Sequence, residues 1–290
     1  MRDARTAAGT EDWQVAAPGR AGLGEGPTWD GAAQRLVWVD ILASRVHTLS
    51  PADGRRTVTD VGQHVGAAKP RAGGGLVLNL RDGVGLLDAG GAFRWLHRKP
   101  VPGRRGNDAA VAPDGSLWAG SMRYDEAPGG GDLVRVTPDG TVHGVLPEVT
   151  VSNGIGWSPD GSLMYYIDTP TGRVDVLTVT ADGQVTDRRP FAEVEEGAGH
   201  PDGMTVDAEG AVWVALWDGA ALRRYAPDGT LDRVLPLPVA RPTACAFGGP
   251  RLTDLYVTSA RGADTPRALD GALLVLPDAG RGLAQTAFAG

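Results

Sequence analysis

Four oxygen-bearing residues in this 290-residue sequence share one local pattern. Each precedes a large apolar residue by four positions, in the pairs Glu25/Trp29, Asn107/Val111, Asn153/Trp157 and Asp202/Val206. Thr243/Phe247 repeats the spacing, whereas residues 64–69 contain no clear equivalent. If the fold brings these positions together, two carboxylates and two carboxamides would need a cation to compensate them. Oxygen-only donors suit Ca²⁺, Mg²⁺ or Mn²⁺ better than a thiolate or imidazole zinc site does.

The elements that must position these residues are short strands separated by glycine-containing turns. One series of turns precedes an apolar strand and recurs every 39–49 residues, at Gly31, Gly74, Gly115, Gly161, Gly210 and Gly249. A second series ends near Gly54, Gly90, Gly140, Gly183, Gly229 and Gly280. Six repeated units with two hairpins each predict an all-β fold, a six-bladed β-propeller with four antiparallel strands per blade. A β-sandwich is the competing all-β interpretation, but it does not require a repeated unit.

In a propeller, the shared spacing places these four residues at equivalent positions of different blades. The first strand of each blade lies nearest the axis, so Glu25, Asn107, Asn153 and Asp202 converge on one central channel. Taken singly, the Asn153-Gly154 and Asp202-Gly203 pairs could be ordinary turns, and only their common register favours a site. The Pro-Asp-Gly segments have no such register and are predicted to be hairpin turns, with their acids at Asp114, Asp139, Asp160 and Asp228.

Composition and charge narrow the class of protein. The net charge of −7 offers no basic footprint for nucleic acid or an anionic membrane. A single cysteine, Cys245, excludes an internal disulfide and favours a reducing compartment. The first eighteen residues have no apolar core of a signal peptide, and no later run is long enough for a membrane helix. We therefore expect a cytoplasmic protein with an N-terminal extension (1–18) and one propeller domain (19–290).

Several other residues receive structural predictions. The tryptophans at strand positions are expected to pack in blade cores: Trp29, Trp38, Trp118, Trp157 and Trp213. Cys245 is expected to be a small buried apolar residue, because no histidine is placed to activate it as a nucleophile. His200 is expected to have a structural or rim role, and Trp217 is placed near a channel mouth.

From about residue 20 to its end, the sequence resembles the SMP-30/gluconolactonase/luciferin-regenerating family, whose members are regucalcin-like. Five ordered segments carry the resemblance: GLGEGPTWD (22–30), GRRGNDAAVAPDGSLWAGSM (103–122), VSNGIGWSPDGSLMYYIDT (151–169), HPDGMTVDAEGAVWVALWDG (200–219) and RPTACAFGGPRLTDLYVTSA (241–260). A single Pro-Asp-Gly segment would be weak evidence, but the ordered set is specific.

The resemblance also implies roles for individual residues. Glu25, Asn153 and Asp202 match the positions at which the family binds one divalent metal. Arg105 and Asn107 match positions that hold the substrate beside the metal. The acidic position after the Gly-Ser-Met segment can contact sugar hydroxyls, which indicates Asp125 and, as its alternative, Glu126. The segment 123–131 departs from the family in length. The activity implied is hydrolysis of sugar-acid lactones.

The function predicted from these residues is a metal-dependent lactonase acting on a small aldonolactone. One divalent cation (Ca²⁺, Mg²⁺, Mn²⁺ or Zn²⁺) would polarise the lactone carbonyl, and Asp202 is the choice for general base. Arg105 could bind the substrate as a rigid fork or form a salt bridge at the channel mouth. Alternatives are a non-catalytic cation-binding or interaction propeller and an arylesterase-like hydrolase on the same fold. We expect a monomer or a weak homo-oligomer.

Overall fold

The chain forms six sheets arranged as the blades of a propeller, which confirms the predicted fold class. A computed structural model describes residues 11–180 and 182–290, together with the backbone of residues 5–6. Each blade has four antiparallel strands, which in the first five blades follow one another in sequence from the axis outward. Within these described residues, no helix is long and apolar enough to cross a membrane.

The strands are short because a turn residue interrupts each apolar run. In chain order the strands of the described residues are β1 (Arg5–Thr6), β2 (Gln14–Ala17), β3 (Gly24–Asp30), β4 (Arg35–Asp40), β5 (Arg45–Ser50), β6 (Arg55–Asp60), β7 (Val65–Pro70), β8 (Leu76–Leu80), β9 (Gly83–Leu87), β10 (Phe93–Arg98), β11 (Arg104–Val111), β12 (Leu117–Arg123), β13 (Gly131–Val136), β14 (Val142–Val149), β15 (Ser152–Trp157), β16 (Leu163–Asp168), β17 (Arg173–Val179), β18 (Val185–Glu193), β19 (His200–Val206), β20 (Val212–Trp217), β21 (Ala221–Tyr225), β22 (Leu231–Pro236), β23 (Arg241–Gly248), β24 (Asp254–Ala260) and β25 (Leu273–Leu276). The blades comprise β3–β6, β7–β10, β11–β14, β15–β18, β19–β22 and β23–β25 with β2, and a 3-10 turn (Thr169–Thr171) follows β16.

The N-terminal part of the chain closes the ring. Strand β2 pairs antiparallel with β25 and is the outer strand of the sixth blade. The propeller therefore includes residues that the sequence analysis assigned to an extension ending at residue 18. The repeat pattern could not reveal this strand, because the other three strands of its blade lie at the other end of the sequence. In the same segment, β1 pairs in parallel with β22, and residues 1–4 and 7–10 lie outside the described residues.

Adjacent blades pack through apolar side chains, as the positions of the tryptophans predicted. The rings of Trp213 and Phe247 meet edge to face, 5.6 Å apart, between blades five and six. Trp118 and Trp157 make the same kind of contact at 5.8 Å between blades three and four. Such edge-to-face pairs add to the stabilisation from apolar burial alone. The core therefore consists of contacts between blades around the ring, which fixes the inner strands relative to one another.

The C-terminal residues cross one end of the channel. We call the end at which the inner strands begin the upper end, the other the lower end, and residues 282–290 the strap. The Gly282 amide donates to the Leu252 carbonyl at 2.8 Å, and the Phe288 amide donates to the Pro70 carbonyl at 2.9 Å. Phe288 is completely buried among side chains of blades two and three. The strap is thus attached on both sides of the ring and passes under the channel between them.

Candidate active site

A β-bulge near the upper end interrupts each of the six inner strands. Asn107, Asn153 and Asp202 are each the first residue of the bulge in their strand, and Glu25 directly precedes the bulge in β3. A bulge bends its strand and re-aims a side chain that regular alternation would point into the blade. The shared spacing seen in the sequence is therefore the signature of a repeated bulge.

The two remaining blades explain why the pattern has gaps. In β7 the bulge residue is Gly66, and a side chain there would come within 2.2 Å of the Asn107 carbonyl oxygen. Blade two therefore contributes no polar group at this position, because its backbone packs against the neighbouring strand. In β23 the corresponding residue is Thr243, whose hydroxyl donates to the Gly24 carbonyl at 2.6 Å. That threonine holds the strand that carries Glu25.

Hydrogen bonds link the polar residues into a chain around the upper channel. Arg105 Nη1 donates to Asn107 Oδ1 at 2.6 Å, and Asn107 Nδ2 lies 3.3 Å from Asn153 Oδ1. Asn153 Nδ2 donates to Thr169 Oγ1, which donates in turn to the Pro201 carbonyl, both at 2.9 Å. The members predicted from the sequence are all at most 8% exposed: Glu25, Arg105, Asn107, Asn153 and Asp202. The structure therefore brings together five of the six predicted site residues.

The carboxylates of this site lack sufficient positive charge. Burial, and then the neighbouring Asp108, raises the pKa of Glu25 from its ordinary 4.5 to about 8. Burial, and then the charges of Glu25 and Asp108, raises the pKa of Asp202 well above its usual range. Arg105 opposes both shifts but does not cancel them. The upper channel is thus an electrostatic environment that favours binding of a cation.

The donor set fits a hard divalent cation. Asp202 Oδ1 is buried and has no hydrogen-bond partner. This lowers the stability of the folded state unless a positively charged group lies beside the oxygen. Histidine, cysteine and carboxylate side chains alone form no three-membered cluster in the described residues, and one of the three candidate ligands here is an amide. Carboxylate and amide oxygens are the ligands that Ca²⁺, Mg²⁺ and Mn²⁺ prefer. Glu25, Asn153 and Asp202 are therefore the residues that would hold such an ion.

The sequence analysis did not predict two charged residues of the channel. Lys69 is buried in β7, and its Nζ donates to Thr28 Oγ1 at 2.8 Å. Asp108 follows Asn107 in the same bulge, and its carboxylate accepts a hydrogen bond from the Ala109 amide at 2.7 Å. A signal was present, because Lys69 is one of only two lysines in the sequence and stands in an apolar run. These residues add one charge of each sign just below the candidate cation site.

The loop after β12 does not bring Asp125 into the cluster. The Asp125 carboxylate is exposed and forms two hydrogen bonds with the Arg123 guanidinium, both 2.7 Å long. Glu126 is also exposed. Instead, the Tyr124 hydroxyl lies 2.7 Å from Nδ1 of His64, across the channel mouth between blades two and three. The sequence analysis considered only the acidic residues of this loop, so it gave no reason to single out Tyr124.

The opposite rim carries the two residues whose roles the sequence left open. His200 is exposed at the start of β19 and is paired with Trp217 at the end of β20. The Arg241 guanidinium stacks on the Trp217 ring, 4.6 Å from its centroid, and also forms an ion pair with Asp218. Trp217 therefore lies at the upper face, as predicted, and is held by a cation–π contact.

The lower half of the channel is a chamber of about 420 Å³. Lys69 and Asp108 line its upper wall, and strap residues including Gln285 line its lower wall. Cys245 also faces this chamber, and its Sγ contacts the Trp213 carbonyl at 3.5 Å. Burial raises the pKa of the Cys245 thiol, which keeps it protonated. The prediction that Cys245 is a small buried apolar residue is confirmed.

The fold and this site define a class of protein, a propeller with an acidic channel mouth. The model of the family described as SMP-30/Gluconolactonase/LRE-like region matches residues 23–261. The chain therefore belongs to this family. The match includes the candidate site residues of the upper channel but not the strap. The family assignment made from the five sequence segments is thus confirmed.

Individual relatives narrow the comparison further. The chain is 38% identical over 243 residues to a 6-deoxy-6-sulfogluconolactonase from Pseudomonas putida, covering 82% of this chain and 84% of that protein. It is 36% identical over 251 residues to pentonolactonase XacC from Haloferax volcanii, covering 86% and 85%. Among solved structures, a calcium-binding regucalcin from Agrobacterium tumefaciens superposes with a TM-score of 0.91 at 29% identity, covering 96% and 97%. The family thus contains sugar lactonases and a calcium-binding member.

Proposed function

We propose that this protein is a lactonase that hydrolyses sugar-acid lactones with the help of one divalent cation. The observation that carries the proposal is the unpartnered Asp202 Oδ1 beside Glu25 and Asn153 at the upper end of the channel. A purely structural propeller has no need for buried, uncompensated carboxylates there, since they lower stability. The relatives that hydrolyse sulfogluconolactone and pentonolactone support the same class of substrate.

In this proposal Glu25, Asn153 and Asp202 hold the cation, with Ca²⁺, Mg²⁺ and Mn²⁺ as the preferred ions. The bound cation would supply Lewis-acid polarisation of the lactone carbonyl. Asp202 accepts a proton from the attacking water through its free carboxylate oxygen. The product is then the ring-opened hydroxy acid, with the carbonyl–oxygen ester bond broken and the ring oxygen protonated.

Arg105 and Asn107 position the lactone in this scheme. Arg105 Nη1 is bonded to neutral oxygens, the Gly106 carbonyl and Asn107 Oδ1, so its charge remains available to a substrate oxygen. Asn107 is itself fixed by donation to the Ser152 carbonyl at 2.9 Å. A rigid guanidinium held by a fixed amide reduces the freedom that substrate binding would otherwise remove.

The test is acid release from a panel of aldonolactones by the purified protein. The assay should be run after chelation and then with Ca²⁺, Mg²⁺, Mn²⁺ or Zn²⁺ added back singly. We expect turnover of at least one lactone, loss of turnover on chelation and recovery with a hard cation. Turnover that is indifferent to chelation would contradict the metal dependence, and no turnover of any lactone would contradict the proposed activity.

A further inference from the structure

An asparagine of blade two reaches the bulge of β11. Asn79 is 5% exposed and stands in the otherwise apolar strand β8. Its neighbour Val77 packs against blade three, and alternation directs Asn79 to the same side. Asn79 Nδ2 donates to the Gly120 carbonyl at 2.8 Å and to the Asn107 carbonyl at 3.0 Å. A longer contact of 3.5 Å joins it to the Asp108 carbonyl. One side chain of blade two is therefore hydrogen-bonded to two strands of blade three.

The acceptor carbonyls lie where the bulge interrupts the hydrogen-bond ladder between β11 and β12. The register of this ladder shifts between Gly106 and Ala109. Within the shift, Asn107 and Asp108 together oppose a single residue of β12, Gly120. A bulge disrupts the ladder locally, and buried carbonyls there need other donors. The two amide hydrogens of the blade-two asparagine meet this need, with one acceptor on each side of the interruption.

The surroundings determine how the Asn79 amide is oriented. An oxygen in place of Nδ2 would face three carbonyl oxygens, so only one orientation of the amide suits its neighbours. Gly106 leaves space for the other end of the amide, because a Cβ atom there would lie 2.6 Å from Asn79 Oδ1. Blade two has a glycine at its own bulge position, and it supports the site through its second strand instead.

The bulge held by Asn79 carries the residues proposed to bind the lactone. Asn107 Oδ1 accepts a hydrogen bond from Arg105 Nη1 at 2.6 Å, so the position of the guanidinium depends on that of Asn107. Asn107 Nδ2 in turn donates to the Ser152 carbonyl of the next blade at 2.9 Å. The hydrogen bonds of Asn79 within the described part of the chain all end on main-chain carbonyls. Asn79 therefore acts on the site through the backbone.

The carboxylate ligands proposed for the cation have supports of their own. Thr243 donates to the carbonyl that precedes Glu25, at 2.6 Å. Thr169 donates to the carbonyl that precedes Asp202, at 2.9 Å. Loss of the Asn79 hydrogen bonds should therefore disturb the groups that hold the lactone more than the groups that hold the cation.

We infer that Asn79 is a positioning residue of the active site, which holds the β11 bulge so that Arg105 and Asn107 are placed to bind the lactone. This inference rests on the proposed lactonase function and explains what blade two contributes to it. A displacement of about 1 Å in a group that orients substrate can lower the rate by about a hundredfold.

The first variant keeps the size and shape of the side chain. Asn79→Asp replaces the two amide hydrogens with an oxygen that faces carbonyl oxygens, so the bulge should shift. For the cation-loaded protein and a lactone that the wild type hydrolyses, we expect kcat/KM to fall about fiftyfold, mainly through an increase in KM. Cation affinity, measured by titration calorimetry, should change by less than about threefold. Unchanged kinetics would overturn the inference, and so would a loss of cation affinity as large as the loss of kcat/KM.

Thr48→Val provides the matched control for loss of a buried polar contact. Thr48 is 8% exposed, and its hydroxyl lies 2.7 Å from that of Thr57 in the outer part of blade one. The control should keep kcat/KM within about twofold of wild type, and a loss comparable to that of the aspartate variant would overturn the inference.

A second variant decides the question if the aspartate prevents folding. Asn79→Ser offers one hydrogen on a shorter side chain, so it can replace at most one of the two bonds. We expect kcat/KM to fall about tenfold, again mainly through KM. A serine variant with the KM of the wild type would overturn the inference.

A spectroscopic measurement separates this inference from the proposed function. In proton–nitrogen correlation spectra of the protein without substrate, the side-chain signals of Asn107 and Arg105 should shift or broaden in whichever Asn79 variant folds. The same signals should be unchanged in Thr48→Val. Absence of turnover for every lactone would remove the lactonase function, and the spectra would still decide the positioning role. Identical side-chain signals in the wild type and the Asn79 variant would overturn that role, whatever the activity.

Discussion

The upper and lower ends of the channel are made from the same six strands, yet they differ in almost every physical property. The upper end carries buried carboxylates with raised pKa values and an unpartnered oxygen on Asp202. The lower end is an open chamber with mixed polar and apolar walls, below which the strap is hydrogen-bonded to the ring. The difference teaches that the bulges, and not the blades themselves, distinguish the end proposed to be reactive from the other end. Four predictions test this division, from the largest effect to the smallest.

Removal of a candidate ligand should have the largest effect. Asp202→Ala eliminates the unpartnered oxygen and the proposed base, so lactone hydrolysis should fall by about 10³-fold or more. Cation affinity, measured by titration calorimetry, should fall in parallel, while the circular dichroism spectrum stays that of the folded propeller. Hydrolysis that persists at the wild-type rate would show that the upper end is not the reactive one.

Lys69 marks the boundary between the two ends, and its removal should affect stability. Lys69→Met leaves Glu25 and Asp108 without their buried positive neighbour, which should cost about 3 kcal/mol in the free energy of unfolding. The exposed Lys99 provides the matched control, because Lys99→Met changes the same charge at the surface. Denaturant unfolding of both variants measures the difference. Equal stabilities would contradict a compensating role for Lys69.

The stability of the chelated protein should depend on pH in an unusual direction. The pKa of Glu25 is about 8 in the folded chain and near 4.5 when unfolded, so the folded state binds more protons between these values. Stability is therefore greatest at low pH within this window and is lost as the pH rises toward 8. Thermal unfolding in chelator at pH 5 and pH 8 tests this, with an added divalent cation removing most of the difference. A chelated protein that is more stable at pH 8 would contradict the assignment.

The smallest effect is expected at the lower end. Phe288→Leu leaves a small gap under blades two and three and should cost about 1.5 kcal/mol of stability. The value of kcat/KM for any lactone should stay within twofold of wild type, since the strap does not contact the candidate ligands. A large loss of activity with little loss of stability would mean that the strap takes part in the reaction.

Much of the fold could be predicted because turn glycines recur in the sequence with a nearly constant spacing. The candidate site could also be predicted in outline, since a repeated bulge places Asn107, Asn153 and Asp202 at equivalent positions. Strand β2 could not be recognised, because a single short strand has no repeat to identify it. Lys69 and Tyr124 could not be assigned either, since the side that each faces depends on strand register, and register follows from pairing that local sequence does not specify.

Closure of the ring by β2 has a consequence for the order in which the protein can be made. Gln14–Ala17 leaves the ribosome before any blade exists, but its partner Leu273–Leu276 is synthesised after five blades are complete. Until β25 has been made, β2 therefore has no partner strand in its own blade, and the sixth blade stays incomplete. The final pairing joins Gln14–Ala17 to Leu273–Leu276 in one sheet, so the ring becomes mechanically continuous only after β25 has been made.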